Sequence, residues 1–142
     1  MPSDTFSHTA TVSATPKSIY SALQHPETWK GIGPIDDVWD ATHERDMLAG
    51  FKWSARAAGK SWEGTARRGA DREAAEMTLN LDSSEIAGTI TVTLQPEGDS
   101  TALTVKLSAR SKGLLAGMFW GVVADTFRKG MAAQVEAFSQ QF

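Results

Sequence analysis

Three side chains in this sequence could do chemistry: a histidine, an arginine and a tyrosine. His8 falls on the apolar face of an alternating segment. With an unperturbed pKa of about 6.5 it could exchange protons or hydrogen-bond a ligand, or it is a satisfied core histidine. Arg68 could bind a carboxylate or enolate oxygen, or extend its head to water. Tyr20 could offer a phenol to a ligand or pack beside Leu23.

Other catalytic and metal-binding chemistries have no basis in the sequence. There is no cysteine, so disulfides, thiolate metal sites and cysteine nucleophiles are excluded. No Gly-x-Ser-x-Gly elbow, phosphate loop or dinucleotide fingerprint occurs. His25 and His43 stand among polar residues at predicted element ends, without metal-ligand spacing. We therefore expect no metal site and no cofactor.

Length and charge narrow the class of protein further. The 142 residues contain no repeat, low-complexity tract or linker, which predicts one domain over residues 1–142. Fourteen basic and 17 acidic residues give a net charge of −3, without a basic stripe for nucleic acid. The apolar stretch from Leu114 to Val123 is too short to span a membrane. We expect a cytoplasmic protein without a signal peptide or an integral membrane anchor.

Hydrophobic periodicity sets the order of elements. Phe6 to Val12 alternates as a half-buried strand does, and Thr15-Pro16 begins a short helix that ends near Pro26. Six more strands are predicted from there to Ser111, between evenly spaced turn signals. The segment from Leu114 onwards carries a helical apolar stripe and, if continuous, forms a helix about 40 Å long. The strands present one apolar face, which this helix is expected to cover.

Turn signals predict how the strands pair. Turns at Gly59-Lys60 and Ser83-Ser84 and a loop over residues 97–100 each set a register. The predicted partners are Trp62 with Ala57, Trp53 with Ala66, Leu81 with Ile86, Leu79 with Gly88, and Leu94 with Leu103. In the strand from Asp37 to His43 two registers stay open, with either Val38 or Trp39 facing inward.

The order of elements resembles the START/SRPBCC superfamily of helix-grip proteins, and the likeness covers nearly the whole chain. It is carried by Thr15 to Leu23 ahead of Pro26 and Trp29, by Gly88 to Pro96, by Thr101 to Leu107, and by Gly113-Leu114-Leu115. The superfamily includes pollen-allergen-like, lipid-transport and polyketide cyclase/dehydrase proteins, and the ending is similar to the branch that contains a carbon monoxide dehydrogenase component. The resemblance implies an α+β START-like fold, with a curved seven-stranded antiparallel sheet wrapped on a long C-terminal helix and short helices after strand one.

The resemblance also implies a ligand site between the concave sheet face and the C-terminal helix. The inward residues expected to line it are Phe51, Trp53, Trp62, Met77, Leu79, Ile90, Leu107, Trp120, Val123 and Phe127. Small inward residues such as Ala55, Gly64 and Gly88 leave room beside these aromatics. The same side chains could equally interdigitate and fill a core without a ligand.

Three functions follow as hypotheses. The first, which we favour, is non-enzymatic binding or transport of a small hydrophobic molecule, either aromatic, polyketide-like or lipid. The second is a polyketide cyclase or aromatase, with His8, Arg68 and Tyr20 assisting enolisation and dehydration. The third is an assembly or protein-interaction factor, with a homodimer among the options. Such a factor would dock through the exposed edge of the strand meander or through a patch of Leu114, Leu115, Met118 and Phe119.

Overall fold

The computed structural model describes residues 2–32, 35–57 and 59–142. Within these residues the chain forms seven strands, three α-helices and one 3-10 helix. From the N-terminus they are β1 (Ser3–Val12), α1 (Pro16–Ala22), the 3-10 helix (Pro26–Gly31), β2 (Asp37–Glu44), β3 (Met47–Ala57), β4 (Lys60–Arg68), β5 (Glu76–Ser83), β6 (Ile86–Glu97), β7 (Ser100–Ser111), α2 (Leu114–Met118) and α3 (Trp120–Ser139).

The strands form one curved antiparallel sheet in the order β1-β7-β6-β5-β4-β3-β2. β2 to β7 follow one another as a meander, and β1 returns to pair with β7. α3 lies against the apolar face, with its closest packing on β1. The predicted α+β fold class, with seven strands, a long C-terminal helix and short helices after strand one, is confirmed.

Two of the predicted registers are wrong by two residues. Trp62 pairs with Ala55 rather than Ala57, and Trp53 pairs with Gly64 rather than Ala66. Ala57 is the last paired residue of β3, so the turn lies one residue earlier than predicted, with Gly59 at a φ of +71° in its second position. Ala58 lies outside the described residues. Because the side-chain period of a strand is two, this shift leaves every side chain on its predicted face.

The predicted register between β5 and β6 is also wrong by two residues, but in the opposite direction. Leu81 pairs with Gly88 and Leu79 with Ile90. The Ser83 hydroxyl accepts a hydrogen bond from the Ile86 amide and donates one to the Ile86 carbonyl, each at 2.9 Å. These two bonds join Ser83 to Ile86 across the hairpin, and the turn lies one residue closer to the C-terminus than predicted. The predicted β6–β7 pairing of Leu94 with Leu103 is confirmed.

The structure decides the register of β2. Val38 is buried and faces inward opposite Trp53, whereas Asp40 is exposed at a φ of +50°. The pairing with β3 shifts after Trp39, as a β-bulge does. A bulge changes which face of the sheet the following residues occupy. Neither of the two registers left open by the sequence, with Val38 or with Trp39 inward, therefore describes the whole strand.

The C-terminal segment forms two helices, not the single continuous helix of about 40 Å considered from the sequence. Phe119 has φ −107° and ψ 20°, which separates α2 from α3. The 20 residues of α3 correspond to about 30 Å. The two helix glycines are not sites of close packing, because a Cβ on Gly121 would meet no atom within 4 Å and one on Gly117 would make only an ordinary contact. No helix in the described part of the chain is long and apolar enough to cross a membrane.

Glu85 holds α2 against the end of the sheet. Its Oε1 accepts hydrogen bonds from the amides of Leu115 at 2.7 Å and Ala116 at 3.1 Å, which are otherwise free at a helix N-terminus. A Cβ on Gly113 would lie 1.3 Å from the Glu85 carboxylate, so any other residue here would displace this carboxylate from its present position. The β5–β6 turn therefore positions α2.

We expect Glu85→Ala to destabilise the protein by about 1 kcal/mol, the usual cost of losing an N-terminal helix cap. Glu85→Gln keeps an acceptor oxygen and should recover part of this loss. Urea unfolding followed by circular dichroism measures both. Glu97→Ala, at the exposed end of β6, is the matched control and should change stability by no more than about 0.5 kcal/mol. Equal effects of the two alanine variants would contradict the capping role.

Candidate functional site

A small apolar cavity lies between the sheet and α3. Its volume is about 20 Å³, close to the space of one water molecule. Its walls are almost purely apolar and come from four strands, from α3 and from the segment before β2. The lining residues are Ile35, Trp53, Ala55, Leu81, Ile86, Gly88, Leu107, Ala109 and Phe127. In this closed form the space admits no organic molecule.

All ten residues predicted to line a ligand site are buried on the inner side of the sheet or under α3. Three of them, Trp53, Leu107 and Phe127, are in the cavity wall. The other seven fill the core around it: Phe51, Trp62, Met77, Leu79, Ile90, Trp120 and Val123.

Interdigitation occupies much of the room that small residues were expected to leave. A Cβ on Gly64 would lie 2.7 Å from Cζ2 of Trp53, so this indole takes the space above the glycine. The Trp53 Nε1 donates to the Thr65 carbonyl at 2.8 Å. Trp62 is held similarly, by a 3.0 Å bond from its Nε1 to the Ala57 carbonyl. Both indoles therefore have their N–H group hydrogen-bonded to a backbone carbonyl although the rings are buried.

A polar cluster closes one end of the same face. The Arg68 Nη1 donates to the Gln24 Oε1 and to the Leu48 carbonyl, both at 2.9 Å. Its Nη2 donates to the Tyr20 hydroxyl at 2.7 Å and also to a carboxylate oxygen of Asp71. The Tyr20 hydroxyl in turn donates to that same oxygen. One arginine therefore joins α1, β3, β4 and the segment between β4 and β5.

Gln24 supports this cluster from within the core. Its Oε1 also accepts the Leu48 amide at 3.0 Å, and its Nε2 donates to the Tyr20 carbonyl at 3.0 Å. The His43 ring nitrogen Nε2 lies 3.1 Å from the Gln24 carbonyl oxygen. The amide side chain is buried, and each of its polar atoms has a partner, as burial requires.

The electrostatics of the cluster follow from these contacts. The hydrogen bond from Arg68 lowers the pKa of Asp71, against the opposing effect of burial. Burial and the hydrogen bond to Asp71 raise the pKa of Tyr20 to about 12, although the nearby arginine charge opposes this. Burial works to lower the pKa of Arg68, but its bonds to Asp71 and Tyr20 outweigh burial and raise it. At neutral pH the phenol is a hydrogen-bond donor rather than a base.

The register places this cluster near the cavity on the concave face. Ala66 pairs with Leu81, a cavity-wall residue, and two residues further along β4 Arg68 pairs with Leu79. Leu79 is fully buried, so a layer of packed side chains separates the guanidinium from the cavity. On its outer side the cluster reaches two open surface grooves, of about 770 and 470 Å³.

The structure brings together two of the three catalytic candidates. Tyr20 and Arg68 are in contact, whereas His8 lies on the edge strand β1 and its Nε2 is 2.7 Å from Oε1 of Glu136 on α3. The His8 side chain is 28% exposed, so it is neither a core histidine nor part of the cluster. Nowhere in the described part of the chain do three histidine, aspartate or glutamate side chains group as metal ligands would.

Sequence reasoning missed Gln24 and Asp71. Gln24 stands four residues after Tyr20, which is the spacing that places two side chains on one helix face. Asp71 follows Arg68 by three residues beyond the end of β4, where a chain reversal can return a carboxylate to the strand end. Both signals were present in the sequence, but neither indicates which side chain turns inward.

Comparison with known proteins identifies the architecture. A START superfamily protein from Mycobacterium smegmatis matches with a TM-score of 0.74 at 20% identity, over 96% of this chain and 97% of that one. A protein from Thermus thermophilus matches at 0.74 and 14%, over 97% and 96%. The Zhui aromatase/cyclase from Streptomyces sp. R1128 matches at 0.71 and 13%, over 99% and 95%.

The chain has the START helix-grip fold. No protein-family model and no curated protein sequence matches it. At these identities the likeness extends to the START helix-grip fold alone, so function has to be argued from the side chains of this chain.

An apolar surface patch accompanies the site. Leu114, Leu115, Met118, Phe119 and Val122 are exposed by 80, 44, 65, 39 and 54% respectively. We call these five residues the α2 patch. The first four are those predicted from sequence as a possible contact surface, and Val122 extends it onto the first turn of α3.

The raised pKa of Tyr20 can be measured directly, because it is the single tyrosine of the chain. We expect the phenolate absorbance near 295 nm to appear with a midpoint at about pH 12 in the folded protein. In denaturant the midpoint should be about 10. By linkage, the stability contributed by the neutral phenol is complete below pH 10 and is lost as the pH rises through 12.

Tyr20→Phe supplies the matched comparison. This variant has no ionisable phenol, so its free energy of unfolding should lack the decline that the parent protein shows between pH 10 and 12. A phenolate midpoint near 10, in protein that circular dichroism shows to be folded, would contradict the buried hydrogen-bonded environment of Tyr20.

Proposed function

We propose that this protein binds a small apolar molecule between the sheet and α3, without catalysing a reaction. The observation that carries the proposal is the apolar cavity at this interface, enclosed by side chains from both layers. Ligand pockets are mostly apolar with few polar groups, and this interior space has that character. Aromatic molecules fit best, since Trp53 and Phe127 form facing parts of its wall.

Binding requires the cavity to grow from its closed volume of about 20 Å³. The sheet side of the wall is rigid, because Ala55, Gly88 and Ala109 are small residues within hydrogen-bonded ladders. The α3 side offers Phe127, a large side chain on a separate element. A shift of α3, or a rotation of Phe127, therefore enlarges the space at the least cost in hydrogen bonds. The ligand accordingly selects a less populated open form.

Replacing Phe127 by alanine should enlarge the cavity without the need for that opening. We expect Phe127→Ala to bind the neutral aromatic 2-naphthamide about tenfold more tightly than the parent protein, because less free energy is spent on opening. Isothermal titration calorimetry and the upward shift in melting temperature measure this affinity. The parent protein should also be stabilised by the probe, by about 2.7 kcal/mol at a hundredfold excess over Kd.

Phe138→Ala is the matched control, since Phe138 is equally buried on α3 but lies outside the cavity wall. Both truncations cost about 3–5 kcal/mol of stability, and Phe127→Leu serves if the alanine variant unfolds. Equal binding by the two alanine variants, with none by the parent protein, would contradict the proposal. Native mass spectrometry of freshly purified protein adds an independent check for a bound small molecule.

A polyketide cyclase or aromatase is the alternative enzymatic function. The contact between Arg68 and Tyr20 favours it, because an arginine beside a protonated phenol can stabilise an enolate oxygen. The Zhui aromatase/cyclase shares the fold. Against it, the third candidate, His8, is bonded to Glu136 and lies on the edge strand β1, so this candidate base does not join the pair. Binding without turnover therefore accords better with the geometry.

Self-association through the α2 patch is a further alternative. The residues around the patch favour a second copy of the chain as the partner. The charged groups beside it are already paired: Lys112 with Asp82 at 2.7 Å, and Lys129 with Asp125 at 3.0 Å. An apolar centre with a neutral polar rim is the anatomy of a protein interface.

Met118→Lys should abolish such a dimer, because it places an unpaired charge at the centre of the interface. Size-exclusion chromatography with light scattering should then give the monomer mass for the variant and twice that mass for the parent protein. Phe142→Lys, an exposed aromatic at the other end of α3, is the control and should stay dimeric. A monomeric parent protein at all concentrations would rule out this alternative.

A further inference from the structure

We propose that Arg68 and Tyr20 form a carboxylate-binding site for the acidic end of an apolar ligand, and that Asp71 occupies this site as an internal carboxylate until the ligand displaces it. The ligand is thus an aromatic or other apolar monocarboxylic acid. This inference rests on the proposed function for the apolar part of the ligand and adds its charged end.

The geometry of the donors points to an anion site. The Arg68 Nη2 and the Tyr20 hydroxyl both donate to one oxygen, Oδ2 of Asp71, and they lie 2.7 Å from each other. Two donors that converge on one oxygen are the arrangement that recognises a carboxylate or an enolate oxygen. The other arginine nitrogen, Nη1, is committed to acceptors that belong to the fold, Gln24 and the Leu48 carbonyl. Only the Nη2 group can therefore exchange its present acceptor, Asp71, for a ligand carboxylate.

Asp71 can leave without unfolding its surroundings. It lies between β4 and β5, and its side chain is 26% exposed, against 15% for Arg68. The turn that follows is closed by backbone bonds between Arg72 and Glu76, and Gly69 is bonded to the Thr78 carbonyl. None of these bonds uses the Asp71 carboxylate. Its release costs the contacts to Arg68 and Tyr20, which an incoming carboxylate restores.

The site is correctly placed for a ligand that also enters the cavity. Arg68 stands two residues beyond Ala66 on the same face, and Ala66 faces the cavity-wall residue Leu81. Two residues along a strand correspond to about 7 Å. An acid group attached to an aromatic ring system spans this distance once the packed layer at the buried Leu79 opens together with the cavity.

The test compares 2-naphthoate with its neutral isostere 2-naphthamide. Asp71→Asn removes the competing negative charge, so this variant should bind 2-naphthoate about tenfold or more tightly than the parent protein, because the site is no longer occupied most of the time. Its affinity for 2-naphthamide should rise much less, because a neutral amide does not pair with the arginine charge. Asp82→Asn, which removes an exposed carboxylate paired with Lys112, is the matched control and should behave as the parent protein. Adding Arg68→Met to Asp71→Asn should abolish the preference for the acid.

A second measurement tests the anion site without any apolar ligand. Asp71→Ala leaves both donors without their acceptor, and 100 mM sodium acetate should raise its melting temperature by about 2–4 °C relative to sodium chloride. The parent protein should show no such difference. If acetate does not raise the melting temperature of Asp71→Ala, the carboxylate site is overturned, whether or not the cavity binds an apolar ligand.

The two proposals fail in different ways. If 2-naphthamide binds but Asp71→Asn prefers 2-naphthoate no more than the parent protein does, the carboxylate site is overturned and apolar binding stands. If 2-naphthamide binds neither the parent protein nor Phe127→Ala, the proposed function is overturned. In that case acetate rescue of Asp71→Ala would still support an anion site at Arg68, and its absence would remove that site too.

Discussion

The apolar face of the sheet is the constraint on which the rest of this structure depends. β5, β6 and β7 bury alternate side chains, and their other face carries mainly polar residues such as Thr78, Thr89 and Lys106. An antiparallel sheet of this composition is stable only when its apolar face is covered, because burial of that surface provides most of the free energy of folding. α3 supplies the cover, and its buried stripe includes Val123, Phe127, Met131 and Val135. The position of α3 sets both the core and the cavity.

Packing and binding compete for the same space in this arrangement. A core at native density leaves few voids, and each methylene removed from the interior destabilises it. The cavity beside Phe127 is the remainder after Trp53 has filled the space above Gly64. A protein that binds within such an interior has to exchange side-chain contacts for ligand contacts, so its affinity reports the cost of opening as well as the fit. The closed structure is thus one of two states that the proposed function requires.

The buried arginine imposes a second constraint at the other end of the face. A guanidinium that is largely removed from water needs an anion and a full set of acceptors. Gln24, the Leu48 carbonyl, Tyr20 and Asp71 provide them, and through these bonds Arg68 links α1 to the sheet. Stability and recognition are coupled here, because the charge that organises the cluster would also attract an acidic ligand. Asp71 neutralises the arginine, so the cluster is complete without one.

The sequence by itself determined the element order, the fold class and the face on which each predicted core residue lies. These depend on local periodicity, and an error of two residues in a hairpin leaves the faces unchanged, as for Trp62 and Leu81. The tertiary structure alone decided the β2 bulge at Asp40, the break at Phe119, the cavity volume, and the meeting of Tyr20 with Arg68 and Asp71. These features depend on contacts between residues distant in the chain. Periodicity shows which face a side chain occupies, but only the packed partners decide how much space remains there and which polar groups meet.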